Sequence, residues 1–154
     1  MRPILTTALA AALLGTTVAR ADDTAPVTHE PTRKECGECH MAFQPAFLPA
    51  RSWTAMMAGL ADHFGEDASL PEDTARSIRD YLTANAGDRV SGKLARKYMR
   101  WVAPDGAPQR ITENPAFVKE HRFRDEVWKL PQVGAKSNCP ACHKQAELGL
   151  YDDD

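Results

Sequence analysis

Cys-X-X-Cys-His occurs twice in this chain, as Cys36-Gly37-Glu38-Cys39-His40 and as Cys139-Pro140-Ala141-Cys142-His143, and the two copies use all four cysteines. That spacing is the attachment pattern of a c-type haem. The two thiols form thioethers to the porphyrin vinyl groups, and the adjacent histidine places its imidazole on the iron. A chain of 154 residues that holds two porphyrins has to fold around them. A core of this size is marginal on its own, and two buried macrocycles supply much of the missing apolar contact. The expected fold class is therefore mostly α: helices packed around two covalently attached haems.

Three other chemistries use paired cysteines. Zinc ribbons place their pairs about 15 to 20 residues apart, whereas about 100 residues separate these two. A four-sulfur zinc site also gives no role to a histidine after each second cysteine. Thioredoxin-like exchange needs a β-α-β setting that this sequence does not show. Two structural disulfides suit an exported chain, but they too leave the paired histidines without a purpose.

The N-terminus has the form of a secretory leader. Arg2 supplies the positive start, Ile4 to Val18 is apolar, and Ala19-Arg20-Ala21 is a small-X-small cleavage site. Residues 1–21 are thus expected to be a cleaved signal peptide. An uncleaved anchor is the alternative, but the run falls short of the about 20 apolar residues a bilayer span needs. The product is expected to be soluble and periplasmic. With 19 basic against 21 acidic residues, the chain lacks the basic excess of a nucleic-acid-binding protein. The acidic end Asp152-Asp153-Asp154 is expected to be a solvated tail, with a docking role as the alternative. The mature chain is expected to divide into an N-terminal lobe around the first haem (22–88) and a C-terminal lobe around the second (89–154).

Along the chain, 22–34 is polar, contains Pro26 and Pro31, and is expected to be an extended arm. A short helix is expected over 35–43. Trp53, Met56, Met57, Leu60 and Phe64 recur at helical spacing and predict a helix from Ser52, as cap, to Phe64, stopped by Gly65. His63 shares its apolar side. A second helix is predicted over 70–86, with Ser69 and Glu72 as a capping box, Pro71 in the first turn and Gly87 as the stop. Ala75, Ile78, Tyr81 and Leu82 make its buried stripe, which has no ligand-type residue. Further helices are expected over 94–102 and after Asn114, where Pro115 begins a segment with Phe117 and His121 on one face.

Each iron needs a sixth ligand or an open position, and histidine and methionine are the usual choices. Beyond His40 and His143, three histidines remain: His29, His63 and His121. His63 follows His40 by 23 residues, and His121 precedes His143 by 22. Both sit beside apolar residues, as an imidazole entering a haem pocket must. The expected pairs are His40 with His63 and His143 with His121, although spacing alone also permits the crossed pairing. His29, in the polar arm, is read as a surface residue and the reserve ligand. Met41, Met56 and Met57 are read as core filling; a methionine ligand would raise the potential of its haem. Trp53, Trp101 and Trp128 are expected on porphyrin or in the core. Arg51, Arg96 and Arg100 are either partners of haem propionates or surface charges.

Several longer stretches carry a resemblance. They are Glu35-Cys36-Gly37-Glu38-Cys39-His40-Met41-Ala42-Phe43, Leu48-Pro49-Ala50-Arg51-Ser52-Trp53, Asp62-His63-Phe64-Gly65-Glu66-Asp67-Ala68, Glu120-His121-Arg122 and Asn138-Cys139-Pro140-Ala141-Cys142-His143. The chain resembles the small periplasmic dihaem cytochromes c of purple and related bacteria over nearly all of its mature length. The resemblance implies two low-spin haem c groups with bis-histidine ligation, His63 and His121 as the distal ligands, and low-potential electron transfer. It also implies an acceptor, a small high-spin monohaem cytochrome. A membrane-bound quinol-oxidising cytochrome is the expected donor. Two closed irons suit an electron carrier and not an enzyme. The alternative is a dihaem protein with one open or labile iron, acting as a peroxidase or a diatomic-gas sensor.

Overall fold

In the computed structural model, residues 23–151 are described. The leader expected over 1–21 and the acidic tail lie outside them. Six α-helices order the described residues: α1 (Glu30–Gly37), α2 (Ala50–Ala58), α3 (Glu72–Ala84), α4 (Lys93–Met99), α5 (Pro115–Glu120) and α6 (Asp125–Trp128), joined by short 3₁₀ turns. Among the described residues the only β pairing is an isolated bridge between His63 and Glu66. None of these helices is long and apolar enough to cross a membrane.

The longest helix, α3, shows how the sequence sets the frame. Pro71 stands at its N-cap, and Glu72 and Asp73 occupy the first turn, where carboxylates oppose the positive end of the helix dipole. Arg76 pairs with both, at 2.9 and 3.2 Å. Ile78 and Leu82 point inward and meet Leu48, Trp53 and Ala86. Burying each of these larger side chains stabilises the fold by roughly 1.5–3 kcal/mol. Trp53 Nε1 donates to the Pro45 carbonyl at 2.9 Å, which fixes α2 against the 3₁₀ turn Pro45–Phe47.

That turn reaches into a second cluster, where Ala46 and Phe47 pack with Leu94, Ala95 and Tyr98 of α4 and with Ala116 and Phe117 of α5. Gly87 lets α4 come close: a Cβ there would lie 2.4 Å from the Ala46 carbonyl and 2.8 Å from Met99 Cε. Ile111 packs against both clusters. Gln44 is fully buried, donates to the Ala146 carbonyl at 2.8 Å and accepts from the Tyr151 hydroxyl. At the arm, Thr24 N–H donates to the Gly149 carbonyl at 2.9 Å. Buried residues from both sides of the expected 88/89 boundary therefore pack in common.

Several expected boundaries move. α1 begins at Glu30, inside the stretch expected to be an extended arm, and ends within the first motif. α2 starts after Pro49, with Ser52 buried inside it, and ends at Gly59. α3 begins at Glu72 with no side-chain cap; Ser69 N–H instead bonds Asp67 Oδ1 at 2.9 Å. The Asn114 cap forms as expected: its side chain accepts from Ala116 N–H at 2.9 Å.

Candidate functional site

The structure brings together two pairs of histidine rings. His40 and His63 lie with ring centroids 6.1 Å apart, and His121 and His143 lie 5.9 Å apart. A metal–imidazole bond is about 2 Å long and a ring centroid lies about 1 Å behind its nitrogen, so two rings facing across one metal have centroids roughly 6 Å apart. Both pairs match that spacing. The planes differ: 29° between the first two rings and 73° between the second two.

At the first pair, Cys36 ends up in the last turn of α1, while Cys39 and His40 follow it in a turn. His40 Nδ1–H donates to the Met41 carbonyl at 2.7 Å, which leaves Nε2 as the nitrogen that can bind a metal. His63 is not on a helix, contrary to expectation. Gly59 ends α2, the 3₁₀ turn Leu60–Asp62 follows, and His63 opens a two-residue hairpin. Its N–H donates to Glu66 O at 2.7 Å, and Glu66 N–H returns a bond at 3.3 Å. Phe64 (φ 58°) and Gly65 (φ 103°) form the corner, as a type I′ turn demands. Phe64 bears the left-handed conformation at a cost of about 1–2 kcal/mol, and the Arg110 guanidinium stacks 4.1 Å above its ring. Burial, then the nearby His40 and the Arg110 cation, hold the His63 imidazole below its ordinary pKa. The neutral ring with a lone pair is the form a metal needs.

At the second pair, His121 is the residue that ends α5, not part of the helix. Its Nδ1–H donates to the Phe117 carbonyl at 2.9 Å, and its ring stacks on Phe117 with centroids 3.9 Å apart and planes 9° apart. Trp128 and Phe123 stand 6.3 Å from it, and Tyr151 meets His143 at 5.5 Å. Cys139 opens a 3₁₀ turn through Ala141. A cavity of about 320 Å³ is lined by Cys139, Cys142, His121, His143 and this aromatic wall. Burial pushes the Cys139 thiol up to about 11, and burial also raises Cys36.

No disulfide links the four cysteines. Among the described residues no group of three or more His, Cys, Asp or Glu side chains converges as a zinc site requires. The residues present fit two haems: at each motif, two thiols and a histidine stand opposite a second imidazole.

Other expected residues go elsewhere. Both His29 nitrogens are engaged by hydroxyls, Thr32 Oγ1 at 2.9 Å and Ser77 Oγ at 3.2 Å, and its ring stacks on Tyr81. It fastens the arm to α3. Met56 and Met57 pack against the Trp53 cluster. Arg51 is tied to the carbonyls of Gly106 and Ala103. Trp53 is core, Trp128 faces His121, and Trp101 is half exposed and so not part of the core. Four residues at the sites went unrecognised in the sequence: Phe43, Arg110, Phe123 and Tyr151. Phe43 sits three residues after His40, and its ring lies 5.0 Å from that imidazole. It also lines the cavity of the second pair.

Two imidazole pairs, each beside a Cys-X-X-Cys, on a mostly helical frame define a covalent two-haem protein. The family profile of dihaem cytochrome c matches residues 32–151, and the chain belongs to that family. It is similar to the diheme cytochrome c from Rhodobacter sphaeroides, with 44% identity, a TM-score of 0.74, and coverage of 82% of this chain and 99% of that one. The diheme cytochrome type c from Shewanella baltica OS155 is 36% identical at a TM-score of 0.63, covering 80% of this chain and 86% of that one. A comparison with the curated proteins finds none that matches. Family membership brings two covalently bound haem c groups with their irons, and implies electron transfer.

Proposed function

We propose that this protein is a periplasmic electron carrier with two low-spin, bis-histidine haems. Cys36 and Cys39 hold the first haem, with His40 and His63 on its iron; Cys139 and Cys142 hold the second, with His143 and His121. The observation that carries the reading is the pair of imidazole spacings, 6.1 and 5.9 Å. When bound, each haem iron supplies a one-electron ferric/ferrous couple. The chain's own residues do the rest. Hydrogen bonds from Nδ1 to backbone carbonyls fix the orientation of His40 and His121 and strengthen them as ligands. The hairpin at His63 and the Phe117 stack at His121 hold the distal rings, so that little has to move when the charge changes. Phe43 touches His40 and the wall of the second cavity, and so joins the two sites.

The leader-like start over 1–21 supports export. The acceptor in this reading is a small high-spin monohaem cytochrome, and the donor a membrane-bound quinol-oxidising cytochrome. The test is ligand removal. His63→Ala and His121→Ala are each expected to convert one haem to a high-spin, carbon-monoxide-binding form and leave the other low-spin. A spectrum unchanged by either substitution removes that histidine from the iron.

A further inference from the structure

The charge of the chain is unevenly divided. Residues 22–88 hold five basic against twelve acidic side chains, and residues 89–151 hold twelve against six. The division follows the two histidine pairs. The segments that build the first, 34–43 and 60–68, contain five carboxylates and one lysine, Lys34; Arg110 reaches that site from elsewhere. The segments that build the second, 117–130 and 133–145, contain six cations (Lys119, Arg122, Arg124, Lys129, Lys136 and Lys144) against three carboxylates. All six cations are exposed. Arg122 adjoins His121, Lys144 adjoins His143, and the Lys136 ammonium stands 5.8 Å from the Trp128 ring beside the cavity. Glu120, one of the three acids, is already paired with Lys97.

Apolar surface lies among these charges. Val118 and Leu130, both outside the cavity lining, are 55% and 41% exposed. An apolar centre within a charged rim is the composition of a protein-docking surface. Opposite charge speeds encounter and selects the face that meets the partner, while like charge repels it from the wrong one.

We propose that the surface around His121 and His143 docks a redox protein with an acidic face, so that electrons cross between the chain and that partner at the second haem, while the acidic surroundings of His40 and His63 turn the same partner away. The inference rests on the electron-carrier reading above. It is tested on the full haem-loaded protein with flavodoxin, an acidic one-electron protein, as the probe. In the step followed, flavodoxin is oxidised by one electron and one iron of this protein is reduced by one.

The stopped-flow rate for wild type is expected to fall several-fold as salt rises from low to physiological strength, where charges are screened beyond about 8 Å. The variant R122E/R124E should lose about tenfold in rate at low salt, together with most of the salt dependence. R76E/R79E makes the same change of charge on α3, away from the second pair, and should stay within about twofold of wild type. K119E/K129E tests two further cations of the same surface and should slow the reaction as R122E/R124E does. Photoreduced lumiflavin, small and neutral, should reduce all four proteins alike. Equal slowing in R76E/R79E, or a wild-type rate indifferent to salt, overturns the docking surface. Failure of lumiflavin to reduce wild type at all overturns the carrier reading instead.

Discussion

Asn114→Ala strikes the support of one of the two proposed distal histidines, His121, without touching it. α5 has only six residues, and Asn114 caps it: the side-chain oxygen accepts from Ala116 N–H at 2.9 Å. The amide nitrogen donates to the Tyr98 carbonyl at 3.1 Å and so ties α5 to α4. The side chain is buried, so water does not replace either bond. Loss of an Asn cap costs about 1 kcal/mol, and loss of the buried Tyr98 bond about 1 kcal/mol more. A deficit of about 2 kcal/mol lowers the melting temperature by roughly 5–10 °C for a chain of this size. Because His121 ends α5 and its Nδ1 is bonded to Phe117, loosening the helix should first disturb the second haem. The assay is thermal unfolding followed in far-ultraviolet circular dichroism and in the haem absorption, together with carbon monoxide binding. Asn114→Asp keeps the cap acceptor and should lose about half as much. A melting temperature within about 2 °C of wild type for Asn114→Ala, with no carbon-monoxide-reactive haem, refutes the reasoning.

Gly149→Ala places a Cβ 2.1 Å from the Thr24 carbonyl at a φ of +79°. It should release the arm before α1, cost roughly 1–2 kcal/mol, and open residues 23–29 to limited proteolysis. Burial holds the Tyr151 phenol well above its ordinary range, so the folded chain keeps this proton after the unfolded chain has lost it. The resulting stability is complete below about pH 10 and declines as pH rises beyond it. Tyr151→Phe should flatten that alkaline decline in urea titrations, and should cost about 1 kcal/mol at neutral pH because Gln44 loses its donor. Phe43→Leu should shift the midpoint potentials of both haems and slow exchange between them in pulsed reduction, since the ring touches both sites. A shift confined to one haem removes its bridging role.

The two covalent haems were legible because Cys-X-X-Cys-His is a short, rigid spacing. The proposed iron ligands were read from the same motifs and from two further histidines beside apolar residues, and the structure sets those rings in pairs. The setting of His63 was less legible. Apolar periodicity runs on from Trp53 to Phe64, but Gly59 ends the helix, and the left-handed corner Phe64-Gly65 turns the chain into a hairpin. The break is made by backbone conformation, and Phe64 ends up about half exposed, which apolar spacing does not report. Ser69 does not cap α3 because the helix starts only at Glu72, with Pro71 at the cap position, and Ser69 N–H bonds the Asp67 carboxylate. The shared core had no local signal at all: Gln44 meets Ala146 and Tyr151 across about 100 residues, and nothing in a fully buried glutamine announces its partner. Phe43 was hidden for the same reason, since its second contact belongs to the other half of the chain.

The central claim is that both irons are closed by paired imidazoles, and low-temperature electron paramagnetic resonance of the oxidised protein tests it most directly. Two nearly parallel imidazoles split the iron orbitals they donate into, whereas two nearly perpendicular ones leave those orbitals close in energy and make the signal far more anisotropic. With planes 29° apart at one site and 73° at the other, the account predicts two low-spin signals of equal intensity, one rhombic and one highly anisotropic, with no high-spin component. An axial high-spin signal from either haem would contradict it and bring the open-iron reading, peroxidase or gas sensor, to the front.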